Sequence, residues 1–132
     1  MKNSTLRESF RHAFDGIKMI IKTERNMRVH LVMTILVFVC SVLFGLTAAE
    51  KAIVISLCAI VICAELINTA IENAVDMSTA VFNMYAKRAK DAAAGAVLVI
   101  SIGAAVAGLI IFVPYGIDFI KDVIRLMKGT GI

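Results

Sequence analysis

The sequence predicts an all-α integral membrane protein: three transmembrane helices preceded by an amphipathic helix on the membrane surface. Two observations carry this. Of 132 residues, 60% are hydrophobic and only 18% charged, against roughly 25% charged in an average soluble domain. Three apolar segments, residues 29–46, 52–76 and 92–113, each approach or exceed the ~20 residues a helix needs to cross a bilayer. A chain of this length forms one domain, spanning 1–132.

Residues 5–23 come first. Leu6, Phe10, Ala13, Phe14, Ile17, Ile20 and Ile21 recur at helical spacing, with Arg7, Arg11, Asp15, Lys18 and Lys22 on the other face. Thr5 and Glu8 form a capping-box pattern at the start. Such a helix suits the bilayer surface or a partner protein. No cleavable signal peptide is expected, because charges interrupt the chain every few residues from Lys2 to Arg28.

The first span, 29–46, and the third, 92–113, contain no Asp, Glu, Lys or Arg. The second, 52–76, carries Glu65, Glu72 and Asp76. Pro114-Tyr115-Gly116 predicts a break after the third span, with 117–128 as a further interfacial helix. Gly103/Ala107 and Ala104/Gly108 give overlapping small-xxx-small patterns that permit close helix approach. Cys40, Cys58 and Cys63 lie inside apolar runs without a CxxC, so they read as small buried hydrophobes. His12 and His30 have no ligand spacing and read as interfacial residues.

Basic residues set the orientation. Lys2, Arg7, Arg11, Lys18, Lys22, Arg25, Arg28, Lys87, Arg88 and Lys90 fall on one side; Lys51, Lys121, Arg125 and Lys128 fall on the other. The positive-inside rule places the N-terminus and the loop at about 77–90 in the cytoplasm and the C-terminus outside. Anionic lipid headgroups or nucleotide phosphates account for the net charge of +4 without a nucleic acid partner.

Asn68, Thr69, Glu72 and Asp76 fall within about 60° of Glu65 on a helix advancing ~100° per residue. An ionisable residue inside a membrane span points to function, although a polar seam joining helices also uses such residues. Glu65 lies deepest and Asp76 shallowest, roughly 10 Å separating Glu65 from Glu72 along the axis at ~1.5 Å per residue. A soluble reagent would meet the shallow end and a lipid headgroup the deep end. Two clusters border the same cytoplasmic rim, Thr23-Glu24-Arg25-Asn26 and Ala89-Lys90-Asp91. Asp91 suits a helix N-terminus as well as a site, and Lys90 suits a snorkelling anchor as well as a site. Glu24 and Glu72 are hard oxygen donors of the kind Mg²⁺ takes alongside nucleotide phosphates. The chain has no Walker loop and no kinase glycine loop.

The run Glu65-Leu66-Ile67-Asn68-Thr69-Ala70-Ile71-Glu72 with Asp76 resembles the signature of the bacterial membrane diacylglycerol kinase family. Ala89-Lys90-Asp91-Ala92-Ala93-Ala94-Gly95-Ala96-Val97 and Thr23-Glu24-Arg25-Asn26 resemble two further motifs, in order and spacing. The resemblance covers nearly the whole chain and is nearest to the Gram-positive branch acting on undecaprenol. One departure is Asn83-Met84-Tyr85, where that branch often carries a histidine.

This resemblance implies a homotrimeric helix bundle in the bacterial cytoplasmic membrane, with ATP as phosphoryl donor and Mg²⁺ as cofactor. It implies Glu65 as catalytic base, Glu24 and Glu72 as metal ligands and nucleotide contacts, Lys90 and Asp91 as nucleotide contacts, and Asn68 and Asp76 as polar active-site residues. The expected activity is phosphorylation of undecaprenol, with diacylglycerol as the alternative acceptor. From other classes, an ion-conducting oligomer lined by Glu65 and Glu72 and a structural membrane adaptor stand as competitors.

Overall fold

The computed structural model describes residues 5–78 and 83–129. It contains α1 (Leu6–Thr23), α2 (Arg25–Leu43), α3 (Ala48–Ser78) and α4 (Met84–Gly129). Helix α3 is central: it packs most extensively on α4, next on α2, and also touches α1.

Local chemistry sets the helix ends. At the start of α1, the Glu8 N–H donates to Thr5 Oγ1 at 3.3 Å and the Thr5 N–H to Glu8 Oε2 at 2.9 Å, so the expected capping box forms. Helices α1 and α2 are separated by Glu24 alone, in extended conformation with φ −94° and ψ 124°. Helix α2 ends in a Schellman turn. Gly45 at φ 68° donates its N–H to Val42 O, and the Leu46 N–H donates to Ser41 O, each at 3.1 Å. Only glycine adopts that backbone without steric cost. Leu46 is then buried.

Another reciprocal cap starts α3. The Glu50 N–H donates to Thr47 Oγ1 at 3.3 Å and the Thr47 N–H to Glu50 Oε2 at 2.8 Å. Tyr115 Oη from α4 donates to the same Glu50 oxygen at 2.7 Å. Phe44 lies against Phe112 and Phe119, with ring centroids 6.3 and 6.1 Å away. These contacts hold the α2–α3 turn to α4 on both sides of Pro114.

Helices α2, α3 and α4 are long and apolar enough to cross a membrane. Their outward side chains are hydrophobic and exposed, among them Leu36, Phe38, Ile55, Val99 and Leu109, as expected where lipid replaces water. The inner seam is apolar at one end of α3, with Val54 and Val61 buried. It becomes polar at the other, with Glu65, Asn68 and Thr69 buried.

Three features differ from the sequence reading. Helix α2 starts four residues before the apolar segment 29–46 and ends three short of it, at Leu43, while α3 and α4 extend beyond 52–76 and 92–113 at both ends. The break at Pro114-Tyr115-Gly116 does not form: α4 passes through Pro114, and 117–128 is its continuation, not a separate helix. Proline removes one backbone donor, and a helix tolerates this where neighbours hold it on either side; Phe44 and Glu50 do so here. Finally, α4 starts at Met84, where Asn83 Oδ1 accepts from the Tyr85 and Ala86 N–H groups at 2.8 and 3.4 Å. Asn83 is therefore the cap, and Asp91 lies two turns inside the helix, without the capping role considered for it. The expected 77–90 loop shortens accordingly; its residues 79–82 lie outside the described segments.

Candidate active site

The polar end of the α3 seam gathers most of the expected residues. Glu65 is 2% exposed, Asn68 7% and Thr69 3%. Thr69 Oγ1 donates to the Glu65 carbonyl one turn back, at 3.1 Å. That bond satisfies the hydroxyl within the helix and leaves the Glu65 carboxylate to its surroundings. Asn68 Nδ2 donates to Glu72 Oε1 at 3.1 Å, fixing the orientation of that carboxylate. Asn68 Oδ1 is buried with no hydrogen-bond donor among the described residues. A buried acceptor left open in this way suits a donor brought by a ligand.

Three other elements face this seam. Glu24, at the α1–α2 elbow, is half-buried. It occupies the N-cap position of α2, yet its side chain makes no capping hydrogen bond, so its carboxylate is not consumed by the helix it precedes. His30 lies three residues beyond buried Met27, half-buried on the α2 face that meets α3. The charges acting on Glu65 are those of His30, which attract it, and of Glu72 and Glu24, which repel it. From α4, Lys90 Nζ donates to Asp76 Oδ1 and Oδ2 at 2.9 and 3.0 Å and also interacts with the charge of Glu72.

Glu65, Asn68, Glu72, Asp76, Lys90 and Glu24 are thus linked through contacts or mutual electrostatics. Asp91 is not: it is exposed and makes no hydrogen bond or ion pair with the others among the described residues. One residue further along a helix than Lys90, it points ~100° away. Sequence reasoning missed His30, read as interfacial; its spacing from Met27 was the available signal. It also missed the pairing of Asp76 with Lys90, which depends on how α3 and α4 pack.

Among the described residues of one chain, no three His, Cys, Asp or Glu side chains form a ready metal cage. The donors nonetheless fit Mg²⁺, which commonly takes one or two carboxylates and completes its shell with water and phosphate oxygens. Two carboxylates that repel a third, beside an open amide oxygen, form a donor set that a hard cation would neutralise.

A buried acidic face inside an apolar bundle, rimmed by a lysine, suits a membrane-embedded phosphotransferase. Residues 11–112 match the family described as prokaryotic diacylglycerol kinase. The chain is 42% identical to the undecaprenol kinase of Bacillus subtilis (strain 168) over 107 residues, 81% of this chain and 87% of that protein. It is 36% identical to the diacylglycerol kinase of Synechocystis sp. (strain ATCC 27184 / PCC 6803 / Kazusa) over 107 residues, 80% of this chain and 61% of that protein. The chain belongs to the prokaryotic diacylglycerol kinase family. It is a multi-pass membrane lipid kinase, and the ion-conducting and adaptor alternatives give way.

Proposed function

We propose that this chain transfers the γ-phosphoryl group of ATP to the hydroxyl of undecaprenol, forming undecaprenyl phosphate and ADP. The observation that carries the chemistry is Glu65 buried with Asn68 and Thr69 at the polar end of the α3 seam, beside Glu72 held by the Asn68 amide. The 42% identity to an undecaprenol kinase favours the polyprenol acceptor. The Synechocystis relative supports diacylglycerol as the second reading.

In this reading Glu65 accepts the proton of the lipid hydroxyl as its oxygen bonds to the γ-phosphorus and the bond to the ADP oxygen breaks. Glu24 and Glu72 would hold Mg²⁺, which would supply charge neutralisation for the phosphates. Asn68 keeps Glu72 oriented. Lys90 provides a cation for the nucleotide, and Asp76 holds that cation in place. His30 offsets the repulsion felt by Glu65.

The N-terminus and the active rim lie in the cytoplasm of a bacterial cell, and α1 rests on the inner membrane surface. The protein acts as a homotrimer. In support, Gly103 is exposed on α4, and a Cβ added there would meet nothing beyond its own stretch of helix within 4 Å, which leaves room for another helix to approach. The decisive experiment is transfer of labelled phosphate from [γ-³²P]ATP to undecaprenol, diacylglycerol and a saturated long-chain alcohol, using purified protein in detergent. Undecaprenol should be the preferred acceptor. Preferential labelling of diacylglycerol would reverse the acceptor assignment, and no labelling of any lipid would overturn the proposal.

A further inference from the structure

We propose that Arg28 is the positioning residue that fixes Glu24 for metal-dependent nucleotide binding. This rests on the reading of Glu24 as a metal ligand given above.

A one-residue connection leaves the angle between two helices to that residue's φ and ψ unless something else braces it. The last carbonyls of α1 lack partners within their own helix. One is satisfied locally: the Glu24 N–H donates to Ile20 O at 2.8 Å. Another is reached from beyond the elbow. Arg28 Nη1 donates to Lys22 O at 2.9 Å, reaching back six residues from the first turn of α2. A guanidinium on a C-terminal carbonyl is charge-assisted and also meets the negative end of the α1 dipole.

This bond spans the elbow and encloses Glu24. Because the Glu24 side chain does not cap α2, its direction follows the backbone of the elbow. Without Arg28, α1 can pivot about Glu24, and the carboxylate leaves the site shared with Glu65 and Glu72. Arg28 is exposed and touches neither carboxylate, so it acts through Glu24 and not on the substrate.

The test compares R28M, E24Q and the double variant with the full wild-type chain in detergent. The readout is ATP binding by calorimetry across a Mg²⁺ titration, with folding checked by circular dichroism. R28M should raise the Mg²⁺ concentration for half-maximal ATP binding roughly fivefold, in line with loss of a charge-assisted hydrogen bond that is partly exposed to water. The double variant should be no worse than E24Q, because the brace has no carboxylate left to place. R28K, which keeps a donor, should fall between wild type and R28M, and it carries the test should R28M fail to fold. An unchanged midpoint in R28M, or in R28K where R28M does not fold, while E24Q raises it, overturns the role of Arg28 alone, as does a double variant whose loss is the product of the two singles. If E24Q itself leaves the midpoint unchanged, the metal assignment of Glu24 falls and this inference with it.

Discussion

Replacing Glu65 with glutamine should move activity and stability in opposite directions. Glu65 is 2% exposed, and its charge is repelled by Glu72 and Glu24 and attracted by His30. Glutamine keeps the shape but has no charge to desolvate and neither repulsion to bear, against one lost attraction. Burial of a charge inside a membrane protein costs several kcal/mol before compensation. A net gain of about 1 kcal/mol, at the low end, would raise the melting temperature by roughly 3–5 °C for a domain of this size. The amide cannot accept the proton of the lipid hydroxyl, so kcat should fall about 10²–10⁴-fold, or roughly 2.7–5.5 kcal/mol of barrier. Nucleotide binding should stay near wild type. The assay pairs turnover of radiolabelled ATP with calorimetric ATP binding and a thermal melt in the same detergent. Turnover within threefold of wild type would refute the assignment of the base. A melting temperature below wild type would show that Glu65 is structural glue. Loss of ATP binding would mean that Glu65 touches the metal or nucleotide.

Other substitutions separate the remaining roles. Glu72→Gln should weaken ATP binding and raise the Mg²⁺ requirement, because it removes a ligand charge while keeping an acceptor for Asn68 Nδ2; a kcat defect with unchanged Mg²⁺ dependence would contradict it. Tyr115→Phe removes the 2.7 Å bond to Glu50 at the end of α3 remote from Glu65, so it should lower the melting temperature and leave kcat near wild type in a coupled ADP-release assay. Single cysteines at Asn83 and Ile120, in a background without Cys40, Cys58 and Cys63, should be labelled from opposite sides of sealed vesicles; same-side labelling would rule out the three-span arrangement.

The spans were legible because lipid demands apolar side chains around most of a helix circumference, a signal that needs no tertiary contact. The α3 face was legible because its five polar positions obey the helical period. The extent of α4 was not. Pro114 and Gly116 mark a helix end in water, and only the anchoring of Tyr115 and Phe112 across the turn keeps the helix running. Position relative to other helices was hidden for the same reason. His30 acquires its relation to Glu65 only through the packing of α2 on α3. Asp76 and Lys90, fourteen positions apart, meet because the α3–α4 connection is short enough to fold the two helices side by side.

The two cross-links between α3 and α4 have a mechanical consequence. Glu50 and Asp76 are about 39 Å apart along α3 at ~1.5 Å per residue, and Lys90 and Tyr115 about 38 Å apart along α4. The pair is pinned at both ends with matched spacing, over a distance longer than the ~30 Å hydrocarbon core. Sliding one helix past the other would break both pins together. In a thinner bilayer, leaning of α3 and α4 as one strut keeps both pins intact. Leaning would carry Asp76, Glu72 and Lys90 together, so the nucleotide end of the site keeps its internal geometry while its height above the lipid changes.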